Sequence, residues 1–312
     1  MSGILTAGEA MVLLLADGPA PLTEATSFSR SVAGSESNVA VGLARLGHPV
    51  TFVGRVGDDT AGRWVRDTLR GEGVDIGHLA TDPEAHTALL MRDRADDARP
   101  AAVEYFRRGS AGSRLDAGQL RRVPLTQSTG VFVSGITAML SPSSQAFVEA
   151  LFTEAERAGV PIFFDPNVRP RLADAGQWRE VVLSLMTRAT TVLVGEDELE
   201  FLGLPLDAAS HLGPVTTTVV LKGGARGVEV VTRADRFTEP ARAVAVVDTV
   251  GAGDAFAAGW ISAVTRGMSH REAARVAVLV ASRVVASPDD TSGFPTRGEL
   301  DALLPNGARD DD

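Results

Sequence analysis

The sequence predicts an α/β sandwich: one mostly parallel sheet, with a small second sheet projecting over its carboxyl edge as a lid. From about residue 131 onward, short apolar runs alternate with stretches of helical length, the pattern of successive βαβ units. Earlier in the chain, strand-like runs around residues 11–31 and 86–107 interrupt that alternation and are expected to form the lid. Hydrophobic residues make up 44% of the 312 and are spread along the whole length, so residues 1–312 are read as a single domain with these lid strands inserted.

Residues 4–7 form an apolar run that meets Gly8 and Glu9 and reads as a buried first strand. Residues 11–15 continue as a second, broken by Asp17-Gly18-Pro19. Residues 35–46 place Val39, Leu43 and Leu46 at helical spacing, and Gly47 suits the C-terminal end of that helix. A strand over 50–53 and a helix over 60–69, ended by Gly71, come next. Residues 86–92 and 102–107 read as strands on either side of a charged loop at 93–100. The regular alternation follows: strand 131–134, helix 143–158, strand 162–165, helix 178–188 and strand 191–194, with later strands at 219–221, 228–231 and 243–246. Two apolar helices over 252–266 and 270–286 complete the domain, and the last eight residues read as a frayed tail.

Composition excludes several function classes. There are no cysteines, which removes disulfides, thiolate catalysis and cysteine-based zinc sites, and the five histidines show no metal-ligand spacing. A net charge of −10 argues against a general nucleic-acid binder, though local groups can still hold a nucleotide phosphate. No apolar run is long enough to span a bilayer and no basic-then-apolar leader opens the chain, so no membrane partner and a cytoplasmic location are expected. Lys222 is the only lysine among thirty basic residues. Arginine-rich coding explains most of that bias, but a compact ammonium beside Gly223 and Gly224 also suits a point-charge role.

The strongest motif is Asp248-Thr249-Val250-Gly251-Ala252-Gly253-Asp254, where a strand ends, a glycine-rich turn follows and a helix begins. Backbone N–H groups at such a helix start lack partners, and the helix dipole favours an anion there. Gly251 and Gly253 allow a phosphoryl group close to the backbone. Asp254 alone would merely complement the dipole. Beside that turn, its carboxylate meets both a hydroxyl nucleophile and a transferring phosphoryl group, which suits a weak base in a loose transition state. There is no Walker A loop and no GxGxxG after the first strand.

These residues resemble the ribokinase-like (PfkB) carbohydrate kinases over nearly the whole chain. The resemblance rests on DTVGAGDAFAAGW at 248–260, AGSESNVAVGLARLG at 33–47 and GRVGDDTAG at 54–62. It implies a three-layer α/β/α sandwich with a β-lid, often dimerising through the lid, so a homo-oligomer is expected. It also implies Asp254 as base, with Gly251, Ala252 and Gly253 as anion hole, ATP as phosphoryl donor and Mg2+ as its companion ion. Within the family, Gly8-Glu9, the segment at 105–113, Ser134-Gly135-Ile136-Thr137 and Asp165-Pro166-Asn167-Val168-Arg169 look most like 2-keto-3-deoxygluconate kinases. On that likeness Glu9, Gly34, Asn38, Tyr105, Arg107, Arg169 and Asp290 would touch the substrate, Arg169 also serving catalysis. Asn167, Lys222, Gly224 and Gly227 would sit near ATP, and Glu198 would serve the metal through water. An acid substrate needs cations, and Arg107 and Arg169 could grip its carboxylate as forks.

Two departures from the pattern stand out. The family's Asn-x-x-Glu reads Gly195-Glu196-Asp197-Glu198 here, and a lid tyrosine of the subfamily is Leu90. The expected activity is ATP-dependent phosphorylation of a small sugar acid, 2-keto-3-deoxygluconate, to its 6-phosphate. The alternatives are a fructokinase- or ribokinase-type kinase of a neutral sugar, and a non-catalytic sugar or nucleotide sensor.

Overall fold

The computed structural model describes residues 3–94 and 101–304. Most of the charged loop expected at 93–100, and the whole C-terminal tail, lie outside the described residues.

The strands are β1 (Gly3–Ala7), β2 (Met11–Ala16), β3 (Phe28–Ala33), β4 (Val50–Gly57), β5 (Asp75–Asp82), β6 (Leu89–Arg92), β7 (Val103–Phe106), β8 (Ser128–Ser134), β9 (Ile162–Asp165), β10 (Thr191–Gly195), β11 (Thr218–Lys222), β12 (Val228–Thr232) and β13 (Arg236–Glu239). The helices are α1 (Ser35–Arg45), α2 (Thr60–Gly71), α3 (Gly135–Met139), α4 (Pro142–Ala158), α5 (Ala175–Met186), α6 (Glu196–Leu202), α7 (Ala252–Thr265), α8 (His270–Val285) and α9 (Arg297–Leu303).

Nine strands form the large sheet in the order β13-β12-β11-β10-β9-β8-β1-β4-β5. Pairing is parallel from β5 through β11, and antiparallel only for β12 and β13. The inner strands are apolar on both faces because both faces are covered. Successive residues point to opposite sides. Ile4 and Phe163 pack into one cluster with α1, α7 and α8, while Leu5 and Phe164 pack into another with α4 and α5. Burying each such side chain contributes roughly 1.5–3 kcal/mol. Helix starts are capped where the sequence offers an acceptor: Asp59, Ser141, Asp174, Ser269 and Thr296 each accept from a first-turn N–H.

The small sheet runs β3-β2-β6-β7. Its own core is Met11, Leu13, Leu15, Ala33, Ala88 and Leu90. Strand β3 passes directly into α1 through Gly34, so lid and large sheet share one continuous segment.

Two expectations changed. Residues 243–246, read as a strand, pair with no strand among the described residues: the segment is exposed, and just beyond it Val247 and Asp248 donate their backbone N–H to Val285 O at the end of α8. The antiparallel edge is instead β13, where only Phe237 is buried. Strand β5 went unread because its burial alternates imperfectly around a register shift opposite Thr51 and Val53.

Candidate active site

The parallel strands end along one edge of the large sheet, the edge at which open α/β sheets bind ligands. They deliver Glu9 just beyond β1, Ser134 at the end of β8, Asp165 at the end of β9, Gly195 at the end of β10 and Lys222 at the end of β11. Register aligns these residues: Ser134 pairs with Asp165, and Gly195 with Lys222.

Asp254 lies in the first turn of α7 and is 9% exposed. Ser35 Oγ donates to its Oδ1 at 2.6 Å and Asn38 Nδ2 to its Oδ2 at 2.9 Å. Asn167 Nδ2 donates to Ser35 Oγ at 2.8 Å and reaches Asp254 Oδ1 at 3.5 Å. Asn167 holds a left-handed backbone, φ 46°, which asparagine tolerates. Burial pushes the Asp254 carboxyl above the ordinary 3.8, while Ser35, Asn38 and the charges of Arg169 and Lys222 pull it back.

The turn before Asp254 is half-exposed from Gly251 to Gly253. Gly251 has φ 81°, a conformation that favours glycine, and a Cβ there would stand a tight 3.0 Å from Asp290 O. At Gly253 a Cβ would meet Lys222 Nζ at 3.8 Å. The ammonium therefore stands against the open side of the turn, beside first-turn N–H groups that lack helical partners. Lys222 Nζ donates to Asp165 Oδ2 at 2.7 Å and lies 3.8 Å from Glu198 Oε2. Burial opposes its charge, but the two carboxylates outweigh that and hold it above its usual value. Burial conversely pushes Asp165 and Glu198 up, with Lys222 pulling both back.

Glu198 is buried, accepting from Val168 N at 2.6 Å and from Gly195 N at 2.5 Å. It ties the loop after β9 to the start of α6. A side chain at Gly195 would collide with Asp197 and Glu198, so the asparagine-to-glycine departure fits how closely Glu198 folds back. Among the described residues, no three His, Cys, Asp or Glu side chains cluster as a metal-binding set.

A second group stands at the lid side of α1. Arg107 donates to Glu9 Oε2 from Nε at 2.9 Å and Nη2 at 2.5 Å, and Ser110 Oγ donates to Oε1 at 2.6 Å. Tyr105, 41% exposed on β7, lies beside this guanidinium, which sits 5.3 Å from the ring centroid. Gly34, with φ 129°, joins the two groups: a Cβ there would sit 2.2 Å from Glu9 O. Arg169 is exposed at the mouth, with its Nη1 donating to Val168 O at 3.2 Å.

The structure thus brings Asp254, Asn38 and Asn167 into hydrogen-bonding reach and sets Lys222 against Gly253. Glu9, Arg107 and Tyr105 stand together as the neighbouring group. Asp290 backs Gly251, but its carboxylate is taken by Arg92 at 2.7 Å. Gly224 and Gly227 lie in the turn from β11 to β12, and Gly227 N donates to Gly224 O. Sequence reasoning missed Ser35 and Asp165. A charged residue ending the apolar run Ile162-Phe163-Phe164 was a readable signal for Asp165, whereas nothing in the Ser-Glu-Ser-Asn run told Ser35 from Ser37.

Comparison with known proteins gives consistent findings. A family profile described as "pfkB family carbohydrate kinase" matches residues 1–297. The chain is 34% identical over 307 residues to a 2-dehydro-3-deoxygluconokinase of Bacillus subtilis strain 168, covering 96% of this chain and 94% of that one. A PfkB protein from Polaromonas sp. JS666 superposes with TM-score 0.86 at 32% identity, covering 97% of this chain and 100% of that chain. A putative ribokinase II from E. coli, solved with ATP and Mg2+, superposes with TM-score 0.89 at 22% identity over 97% of this chain and 98% of that one.

Proposed function

This chain belongs to the pfkB family of carbohydrate kinases, and on that premise we propose that it transfers the γ-phosphoryl group of ATP to the 6-hydroxyl of 2-keto-3-deoxygluconate. That compound, also called 2-dehydro-3-deoxygluconate, is the substrate class in the name of the B. subtilis relative. The observation that carries the chemistry is the placement of Asp254 directly after a half-exposed glycine turn with Lys222 against it.

In this reading Ser35 and Asn38 fix the Asp254 carboxylate so that a free lone pair faces the sugar hydroxyl. Asp254 accepts the hydroxyl proton as the new P–O bond forms, and needs only modest basicity because that proton leaves late. The N–H groups of the 251–253 turn and the Lys222 ammonium stabilise the charge on the transferring group. The buried, unpartnered Asn38 Oδ1 is an acceptor that a substrate hydroxyl would satisfy. Arg169, exposed at the mouth, and Arg107, with two of its donors on Glu9, supply the cations that a sugar acid requires. Gly34 and Tyr105 flank that pocket.

Asn167, Lys222, Gly224 and Gly227 border the nucleotide. Glu198 and Asp165 are the carboxylates that would hold Mg2+ beside the phosphates, and the ion would supply neutralisation of phosphate charge. The enzyme is taken to act in the cytoplasm, as a homo-oligomer joined through the lid, with the lid strands closing over the sugar to keep water from the phosphoryl group.

A coupled ADP-release assay over a panel of sugars tests this. The sugar acid should be the best substrate. Asp254→Asn should lower kcat by about 10²–10⁴-fold, the range for losing a general base, and leave ATP binding within about threefold. Efficient turnover of fructose, together with Arg107→Ala leaving sugar-acid kinetics unchanged, would replace the sugar acid by a neutral sugar. Full turnover by Asp254→Asn would remove the mechanism.

A further inference from the structure

Arg92, the last residue of β6, is 1% exposed, among the most buried large side chains of the molecule. It lies two residues beyond Leu90 on the same face of the strand, so it continues the apolar core of the lid. Its guanidinium leaves the lid altogether. Nη1 donates to Asp248 Oδ2, and Nη2 donates to Asp290 Oδ1 at 2.7 Å. Both acceptors lie outside the small sheet, on the segments that flank the glycine turn. Asp248 uses its other oxygen to accept from Val250 N at 2.9 Å, one residue before Gly251. Asp290 packs its backbone closely on Gly251, with its O 3.0 Å from where a Cβ would stand. Two residues beyond Arg92, Arg94 Nη1 donates to Pro288 O at 2.7 Å. The end of one short lid strand therefore grips the wall behind the turn at several points.

A buried arginine is a poor choice if only stability matters. Removing its charge from water is costly, and an apolar side chain would continue the lid core equally well. Here Nε is also buried and unpartnered. What the arginine provides, and a leucine could not, is a fork of fixed geometry spanning two carboxylates on two segments. Burial first, and then the charges of Asp254, Asp248 and Asp289, already push the Asp290 carboxyl up, and Arg92 is what pulls it back.

We propose that Arg92 is a positioning residue that couples the lid to the phosphoryl-receiving turn. With β6 seated, the guanidinium holds Asp248 and Asp290, and these hold Val250 and Gly251 so that the turn's N–H groups converge. With β6 displaced, the two carboxylates lose their shared cation and the turn loosens. Lid position thereby decides whether the anion hole is assembled, which makes phosphoryl transfer conditional on a sugar under the lid. Arg92 itself touches neither substrate. This inference rests on the kinase reading for its kinetic arm but not for its structural arm.

The experiment compares wild type with Arg92→Met and Arg92→Lys. The structural arm is hydrogen exchange at the 249–254 amides without any substrate. Faster exchange there in both variants, with the helix interior of α8 unchanged, is expected. The kinetic arm is expected to show kcat reduced by about 10–100-fold in Arg92→Met, the scale of a small misplacement of reacting groups. KM for both substrates should stay within about threefold. ATP hydrolysis without sugar should become a larger share of total turnover, and added guanidinium ion should restore part of kcat. Arg92→Lys keeps the charge without the fork, so it guards against a variant that fails to fold and should fall between wild type and Arg92→Met. Unchanged turn exchange, or a rise in sugar KM alone with kcat intact, overturns the proposal. Wild type that phosphorylates no sugar would count against the kinase reading, while the exchange result would still decide the coupling.

Discussion

Glu36 shows how much a single side chain in this site depends on burial. It sits in the first turn of α1, 1% exposed, and its Oε1 accepts from Ser134 N at 2.9 Å, Ser134 Oγ at 2.7 Å and Thr137 Oγ1 at 2.7 Å. Burial pushes its carboxyl up from 4.5 to about 7, and those three donors only partly offset it. The folded chain therefore holds a proton that the unfolded chain releases at lower pH. The resulting stabilisation is complete below pH 4.5 and is lost as pH rises through about 7. Glu36→Gln keeps the acceptor and removes the titration. The difference in unfolding free energy between wild type and variant should change by on the order of 3 kcal/mol across that window, in favour of the variant at the alkaline end. Denaturant titrations at a series of pH values check this, and parallel curves would refute it. At this scale the sequence was legible where a residue's neighbours in the chain define its chemistry, as for Asp254 after Gly-Ala-Gly. It was not legible for Glu36 or Arg92, whose partners lie about a hundred or more positions away.

At the scale of elements, the junction between β3 and α1 carries the strictest demand. Gly34 has to adopt φ 129° and let Glu9 O approach to a distance that no side chain permits. Gly34→Ala should cost about 1–3 kcal/mol from the backbone alone, and more from the collision. It should also displace Ser35 and Asn38 from Asp254, so kcat should fall further than loss of folded protein explains. Thermal melts paired with active-site titration separate the two effects. Most helices and inner strands were readable because period and punctuation agree, as where Gly47 follows the end of its helix with φ 83°. The edges were not. Strand β5 carries a mixed face, and residues 243–246 have the composition of a strand with no neighbour to pair with. Pairing at a sheet edge depends on what lies alongside, which local composition does not encode.

For the whole molecule, the lid poses the question of assembly. Strand β7 lies at the rim of the small sheet and exposes Tyr105 at 41% and Phe106 at 50%. Exposed aromatic side chains on a sheet edge favour association through that sheet. Phe106→Glu should shift the sedimenting species toward monomer and leave the far-ultraviolet spectrum unchanged. Equal sedimentation of variant and wild type would show that the lid is not the contact. A second, smaller sheet was foreseen as an interruption of regular alternation, but its strand order β3-β2-β6-β7 was not, since β2 and β6 are separated by the whole of β3, α1, β4, α2 and β5.

The solitary lysine has a practical corollary. Acylating and aldehyde reagents that attack amine side chains find one such target in the entire chain, and it is anchored to Asp165 beside the glycine turn. The carboxylates that keep its ammonium protonated also withhold the lone pair such reagents need, so the rate of labelling at this residue would read how firmly Asp165 and Glu198 hold it.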